Sequence, residues 1–405
     1  MLQELIGWNI KTGAFSNDSA VTHIIRRYGP ISRADIARLT GLTPPTVTNI
    51  TNRLFELGLL TEYKIGESSG GRRPLLLSFN SSVSQAVIVH IRTTKMVSYL
   101  VDPECNVIYQ NTKPLAGLSH DEILEMMLGM IEECRQKSTA PVQGIGVVLR
   151  GPVRSQEGIS VFCPNIGWKN IPLKYIVEER FRLPVMIEND VRAFASGEFY
   201  YGSASEASNM VLLKVGHGIG AGIILGGKLY RGINDSAGEI GHTTVDIDGP
   251  ICSCGNYGCL EALASEKALV ERVIQGIKEG QSSRVTELIG GDLSKLGPEE
   301  VYQAANEGDE LATRTLAHGA RYLGIGIANL VNIFNPELFV IGGGFAAARY
   351  FIEDIIQDTV KERSFESCSS VLEIRFSTSA TENTLKGVAD MVFTQITEPL
   401  WLGQK

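Results

Sequence analysis

The sequence predicts an α/β body preceded by a smaller, mainly helical head. Three observations predict it: a helix, short helix, glycine turn, helix order within residues 1–80, strands alternating with helices thereafter, and a reversal of net charge between the two regions. At 405 residues the chain exceeds one compact core, so two or three domains are expected. Hydrophobic residues at 43% and charged residues at 20% are the ordinary balance of a globular protein. No apolar stretch approaches the ~18 residues of a membrane span. The N-terminus MLQELIGWNIKTGAF also lacks the basic start and apolar run of a signal peptide. The expected location is cytoplasmic, without membrane insertion.

In the head, Val21, Ile24, Ile25 and Tyr28 fall at helical spacing, and Gly29-Pro30 ends that helix. Ser32 can cap a second, short helix with Ile36, Ala37 and Leu39 inward. Gly41 makes the turn. Thr43 then stands as N-cap before Pro44, whose missing N–H costs nothing at the first helical position. The third helix is expected to run to about Leu57, with Val47, Ile50, Leu54 and Leu57 inward. Its outer face offers Thr46, Thr48, Asn49, Asn52 and Arg53, hydrogen-bonding groups without a carboxylate, which suit base edges in a major groove. A solvated helix face is the alternative. Leu59–Tyr63 and Leu75–Phe79 read as strands joined by Lys64–Pro74, a wing whose Arg72 and Arg73 can enter a minor groove. A flexible linker with incidental arginines is the other reading.

Charge supports the nucleic-acid reading despite a net −8. Residues 1–80 carry nine Lys/Arg against six Asp/Glu, whereas the remainder carries 28 against 39. A basic head on an acidic body is expected when only one module meets phosphate. One helix-turn-helix binds weakly alone, so a two-fold dimer is expected on operator DNA, its contacts supplied by the body.

The body opens with AVIVHI and VSYLVD flanking a polar turn within Ala86–Val107, followed by a long amphipathic helix near Ser119–Lys137. Buried strands are expected at Gly144–Leu149 and Val185–Asp190, with paired strands at Val211–Gly216 and Gly220–Leu229. Helix Ala317–Phe334 leads into strand Leu338–Gly344.

Three constellations in this body carry chemistry. His242 with Cys252, Cys254 and Cys259 offers three thiolates and an imidazole, a closed tetrahedral set for structural Zn2+ worth about 10–16 kcal/mol to folding. Unliganded core cysteines are the alternative. Asn165, Asn189, Asp190, Glu239, His242 and Glu261 are amides, carboxylates and an imidazole of the kind that read sugar hydroxyls, with Glu239 and Glu261 bracketing the metal loop. Spacing alone does not separate a pocket from isolated surface residues. The glycine runs Gly216–Gly222 and Gly342–Gly344 let backbone approach phosphate, or merely make tight turns.

Together these stretches resemble the ROK family (repressors, open reading frames and kinases) over nearly the whole chain. VGHGIGAGIILGGKLYRG, AGEIGH, CSCGNYGCLE, PNIGWKN, IENDVRAFASGE and VIGGG carry the resemblance. SSGGRRP and GPISRADIAR are similar to its transcriptional-repressor branch, that of the xylose and N-acetylglucosamine repressors. The resemblance implies a winged helix-turn-helix followed by a two-lobed, actin-like body with a cleft. It places a DNA-binding domain at 1–80 and a first lobe at 81–200. A second lobe follows at 201–405, with the zinc loop and dimer surface, its C-terminal helix free to return to the first. It implies sugar contacts at Asn189, Asp190, Glu239, His242 and Glu261, with Asn165 and Gly151 beside them, and zinc on His242, Cys252, Cys254 and Cys259. Asp190 matches the kinases' catalytic base.

One departure decides the expected function. Family kinases begin the fold with Asp-x-Gly-Gly-Thr, which orders magnesium and ATP phosphates; here His90-Ile91-Arg92-Thr93-Thr94 stands instead, and His217 replaces a usual Thr. Phosphoryl transfer rests on positioning those phosphates, so no kinase activity is expected. A sugar-responsive repressor of carbohydrate-utilisation genes is the expectation, dimeric or tetrameric, with a monosaccharide or sugar phosphate as inducer. A repressor controlled by a transporter protein and an active sugar kinase are the alternatives.

Overall fold

The computed structural model describes residues 17–63, 75–163, 165–204 and 207–402. Its contacts divide the chain into a first unit, 1–208 with 226–236 and 381–405, and a second, 209–225 with 237–380. The chain thus leaves the first unit and returns to it.

The head opens the first unit. Helices α1 (Asn17–Tyr28), α2 (Arg33–Thr40) and α3 (Pro44–Glu56) pack against strands β1 (Ile31–Ser32), β2 (Leu60–Tyr63) and β3 (Leu76–Phe79), ordered β1–β3–β2 and antiparallel. The caps are those the sequence announces. Ser32 Oγ accepts from the Asp35 N–H, Gly41 turns at φ 68°, and Thr43 Oγ1 accepts from the Thr46 N–H ahead of Pro44. Val21, Ile25, Ile36, Val47, Leu54 and Leu77 form its core. Leu57 corrects the expected inner face: it sits one residue past α3 as the C-cap and is 41% exposed. The helix has ended there, so its period no longer aims the side chain inward. The two-residue strand β1 was not evident in the sequence because Ile31–Ser32 is too short to alternate.

The rest of the first unit is a sheet with both faces covered. Strands β4 (Gln85–Ile91), β5 (Lys95–Val101), β6 (Val107–Pro114), β7 (Val142–Leu149) and, after a small sheet of β8 (Val153–Arg154), β9 (Ile159–Cys163) and β10 (Trp168–Ile171), β11 (Val185–Asn189) are ordered β11–β7–β4–β5–β6. β11, β7 and β4 run parallel, while β5 and β6 are antiparallel. Period-two alternation sends Val87, Val89 and Ile91 to one face, under α4 (His120–Gln136) and α5 (Leu173–Phe181). Ala86 and Ile88 point to the other, where Ala193 of α6 (Asp190–Tyr201) meets Leu385, Val388 and Val392 of the last helix.

The second unit repeats this pattern of sense. β12 (Met210–Val215) pairs antiparallel with β13 (Ile219–Leu225) and parallel with β15 (Leu338–Gly342), which pairs parallel with β16 (Glu373–Phe376). Strand β14 (Lys228–Tyr230) lies in the 226–236 segment grouped with the first unit. The helices of the second unit are α7 (Leu260–Ala264), α8 (Glu266–Lys278), α9 (Val285–Leu288), α10 (Pro298–Asn306), α11 (Glu310–Phe334), α12 (Arg349–Arg363) and α13 (Glu366–Ser369). Helix α11 starts seven residues before the expected Ala317, because Asp309 caps it through the Ala312 N–H. The final helix, α14 (Ala380–Leu402), packs back onto the first unit.

Where α6 meets α14, backbone touches backbone. A Cβ built on Gly197 would lie 1.6 Å from the Asn383 carbonyl oxygen, and one on Gly387 would lie 2.0 Å from that of Ala193. Gly197→Ala is therefore expected to destabilise the chain by about 1–3 kcal/mol in urea unfolding. Gly129→Ala on α4 meets nothing within 4 Å and should stabilise it by about 0.5–1 kcal/mol. Equal effects at the two sites would refute the close approach.

Candidate metal centre and ligand-binding residues

A short loop brings the four expected metal ligands together. The loop closes because Thr244 and Cys259 form an antiparallel bridge, as do Ile251 and Tyr257. Gly258, at φ 60°, lies against Asp246, whose carbonyl oxygen a Cβ would meet at 1.4 Å. No other residue fits there. The ligand atoms of His242, Cys252, Cys254 and Cys259 all lie within 4.8 Å of one another. Cys252 Sγ is 3.6 Å from His242 Nδ1, and Cys254 Sγ is 3.7 Å from Cys259 Sγ. Such a cluster can hold a metal ion.

The expected sugar residues of the second unit stand around the same loop. Glu239 precedes the single helical turn Ile240–His242. Glu261 Oε2 accepts from the Ile219 N–H at 2.9 Å, and Gly241 abuts the Ile219 carbonyl, where a Cβ would lie 2.2 Å away. Gly241, beside the His242 ligand, and Glu261 therefore meet at the start of β13.

In the first unit, Asn189 ends β11 and caps α6. Its Oδ1 accepts from the N–H groups of Val191 and Arg192, and its Nδ2 donates to the Gly151 carbonyl at 3.0 Å. Gly151 turns at φ 83°. Asp190, the first residue of α6, is buried. Asn165 Nδ2 donates to the Arg92 carbonyl at 3.0 Å, and its Oδ1 accepts from Cys163 Sγ. Burial, with Asp190 adding to it, pushes the Cys163 thiol up to about 12. His90 and Ile91 end β4 and 92–94 form the β4–β5 turn: Arg92 Nε lies 3.5 Å from His90 Nδ1, its other end donates to Thr381 Oγ1, and Arg150 donates to Thr93 Oγ1.

Two carboxylates, one in each unit, were not singled out in the sequence. Glu188, fully buried in β11, pairs with Arg192 at 2.7 Å and Arg231 at 2.6 Å and accepts from Ser155 Oγ. Burial pushes its carboxyl upward, but Arg192 and Arg231 outweigh that and hold it below its ordinary value. A lone Glu inside VMIEND was the available signal, since a carboxylate in a buried strand demands a cation. In the second unit, Glu266 leads α8 between the two glycine runs. Its N–H donates to the Gly216 carbonyl at 2.9 Å, its Oε1 accepts from Tyr302 Oη at 2.9 Å, and a Cβ on Gly344 would lie 1.9 Å from that oxygen. Burial raises its carboxyl above the ordinary value. Nothing in the local sequence distinguishes it from a helix-starting glutamate.

On α3, Asn49 and Asn52 are exposed, while Thr43 and Thr46 share a 2.8 Å hydroxyl contact and Thr48 Oγ1 donates to the Pro44 carbonyl. Arg53 pairs with Asp18 of α1. Arg72 and Arg73 lie outside the described residues.

With this geometry in place, the class follows. The family pattern of the ROK proteins matches residues 87–395, and the chain belongs to the ROK family. The xylose repressor of Caldicellulosiruptor bescii is 34% identical over 376 residues, covering 90% of this chain and 92% of that protein. A ROK family transcriptional regulator homologous to the E. coli MLC protein superposes with a TM-score of 0.81 at 29% identity, over 98% of both chains. A ROK glucokinase from Streptomyces griseus, in complex with glucose and AMPPNP, gives 0.68 at 28% identity, over 76% of this chain and 99% of that one. The fold is a winged helix-turn-helix followed by the α/β, actin-like body that ROK regulators and ROK kinases share. Among the described residues no helix is long and apolar enough to cross a membrane.

Removing one partner of a buried ion pair strands the others. Glu188→Gln is expected to cost about 3–5 kcal/mol in urea unfolding at neutral pH. The wild-type contribution is present above the unfolded carboxyl value and is lost as pH falls through the lower folded value. The gap between the two proteins should therefore narrow in acid, and a constant gap would count against the depressed carboxyl.

Proposed function

We propose that this chain is a sugar-responsive DNA-binding transcriptional repressor of carbohydrate-utilisation genes. The observation that carries the reading is a capped helix-turn-helix with an exposed, carboxylate-poor third helix, seated on a ROK body. The proposed domains are a DNA-binding head at 1–80, a first lobe at 81–200, and a second lobe at 201–405 that supplies the dimer or tetramer contacts.

In this reading α3 enters the major groove of a pseudo-palindromic operator. Asn49 and Asn52 read base edges. Thr43, Thr46 and Thr48 flank them, their hydroxyls already engaged within the helix. Arg53 exchanges Asp18 for a phosphate, and Arg72 and Arg73 of the wing reach the minor groove. Asn165, Gly151, Asn189 and Asp190 of the first unit and Glu239, His242 and Glu261 of the second contact a monosaccharide or sugar phosphate. Such an effector must favour the state that releases DNA; a nearly complete switch needs about 5.5 kcal/mol of differential affinity.

The metal is Zn2+ in this proposal, held by His242, Cys252, Cys254 and Cys259 in a structural role. Three thiolates and one imidazole are its preferred donors, and ~2.3 Å bonds in tetrahedral geometry put two sulfurs ~3.8 Å apart. The 3.7 Å between Cys254 and Cys259 fits that edge.

Two features support a regulator without kinase activity. His90 stands where the kinase turn has its acid, and the Arg92 side chain spans that turn to Thr381. The Glu266 carboxyl fills the space beside Gly344, occupying the approach to a glycine loop of the kind that meets phosphate.

A gel shift on the upstream region of its own gene, titrated with D-xylose, D-glucose, N-acetylglucosamine and their phosphates, tests the reading. One of them is expected to weaken operator binding, with no ATP-dependent phosphorylation of any. If none alters binding and a transporter domain captures the protein instead, the transporter-controlled alternative holds. Cys254→Ser is expected to lower bound zinc, measured by atomic emission, and to reduce thermal stability. Unaltered metal content would refute the ligand set.

A further inference from the structure

The first helix of the head meets the body at a cluster of charge from which water is excluded. Arg26 and His23 of α1 and Asp390 of α14 are each at most 5% exposed, although Arg26 and Asp390 stand 364 positions apart in the chain. One guanidinium nitrogen of Arg26 donates to Asp390 Oδ1 at 2.6 Å, to the Asp390 carbonyl at 3.2 Å and to Thr394 Oγ1 at 3.3 Å. His23 Nδ1 lies 3.4 Å from the same carboxylate oxygen. The rings of Phe79 and Phe393 flank the guanidinium, each 5.6 Å from it. Burial pushes the Asp390 carboxyl upward, but His23 and Arg26 outweigh it and hold the group well below the usual carboxylate range.

This cluster reaches the far end of a second helix. Tyr201 Oη donates to Asp390 Oδ1 at 2.8 Å, and the neighbouring Tyr200 packs edge-on against the His23 ring at 4.4 Å. Tyr201 is the last residue of α6, whose first turn carries Asn189 as cap and Asp190 as opening residue. Over its 12 residues, about 18 Å, α6 is buried almost throughout. Gly197 and Gly387 set its backbone against that of α14, and Asn383 Nδ2 donates to Glu198 Oε2 at 2.6 Å. No compliant layer of side chains lies between the two helices at that crossing, so a displacement of α6 must be carried by α14 rather than absorbed. A buried charge cluster then accepts few arrangements of its partners, because each must keep its hydrogen bonds.

We propose that Asp390 is the joint through which the ligand end of α6 sets the pose of the DNA-binding head. Arg26, His23 and Tyr201 are its positioning residues. The inference rests on the assignment of Asn189 and Asp190 to the sugar. Sugar contacts at one end of α6 shift α6 and α14 together, the Asp390 carboxylate moves, and α1 follows through Arg26 and His23. Helices α2 and α3 pack on α1 and move with it.

The test uses the full chain and two variants, Asp390→Asn and Tyr201→Phe; the second removes a single hydroxyl and keeps the experiment decisive if the first does not fold. Calorimetry with the sugar that acts on wild type is expected to give unchanged sugar affinity. The sugar-induced change in operator affinity should fall to less than about twofold, a loss that a merely structural contact would not produce. A folded variant that keeps the wild-type change overturns the proposal. A sugar-free arm separates this result from failure of the sensor reading itself. Asn189→Ala, which removes the cap at the opposite end of α6, is expected to speed hydrogen exchange of α1 amides by about tenfold. The same substitution made in Tyr201→Phe should leave α1 exchange where Tyr201→Phe alone puts it. An equal acceleration in both backgrounds overturns the joint even if no sugar acts on the wild type.

Discussion

Gly197 and Gly387 bring α6 and α14 so close that no side chain fits between them at the crossing, and much of the first unit is arranged around that contact. The contact fixes how α14 lies across the sheet face made by Ala86, Ile88 and Val148. It also decides which α14 residues face the head, so that Asp390 arrives beneath Arg26 rather than in water. Close packing of this kind transmits strain because the interior has little room to deform. The charge cluster adds direction to it: an apolar contact tolerates sliding, whereas a desolvated carboxylate shared by an arginine, a histidine and a tyrosine does not.

Charge in the head has a different distribution from the one its composition suggests. Of the five arginines described there, Arg26 is buried against the body, Arg27 lies over the Tyr28 ring, Arg33 donates to Thr51, Arg38 pairs with Asp35 and Arg53 pairs with Asp18. Three of the five, Arg26, Arg38 and Arg53, are therefore matched by carboxylates of the fold.

Short-range chemistry was legible in the sequence. Ser32, Gly41 and Thr43 announce their caps and turn because capping acts over three residues, and the His242, Cys252, Cys254, Cys259 cluster is legible because loop geometry follows from close spacing. Alternation gave β4 and β5, and period 3.6 gave α4. Long-range pairing was not legible. Nothing near Asp390 in the chain hints that its partners are His23 and Arg26, and nothing near Glu188 hints at Arg231, because those partners are chosen by the fold. Glu266 escaped for the same reason: its meaning comes from Gly344, on another element. Leu57 shows the opposite failure, a periodic pattern extended one residue beyond the helix that justified it.

The return of α14 to the first unit has a consequence for biosynthesis. The head's helices precede the body in translation, yet the carboxylate that seats them is 364 positions downstream of Arg26. Until the ribosome has delivered α14, the nascent head has no berth, and Arg26 and His23 remain hydrated. A repressor of this design therefore acquires its seated head only after both units have been made.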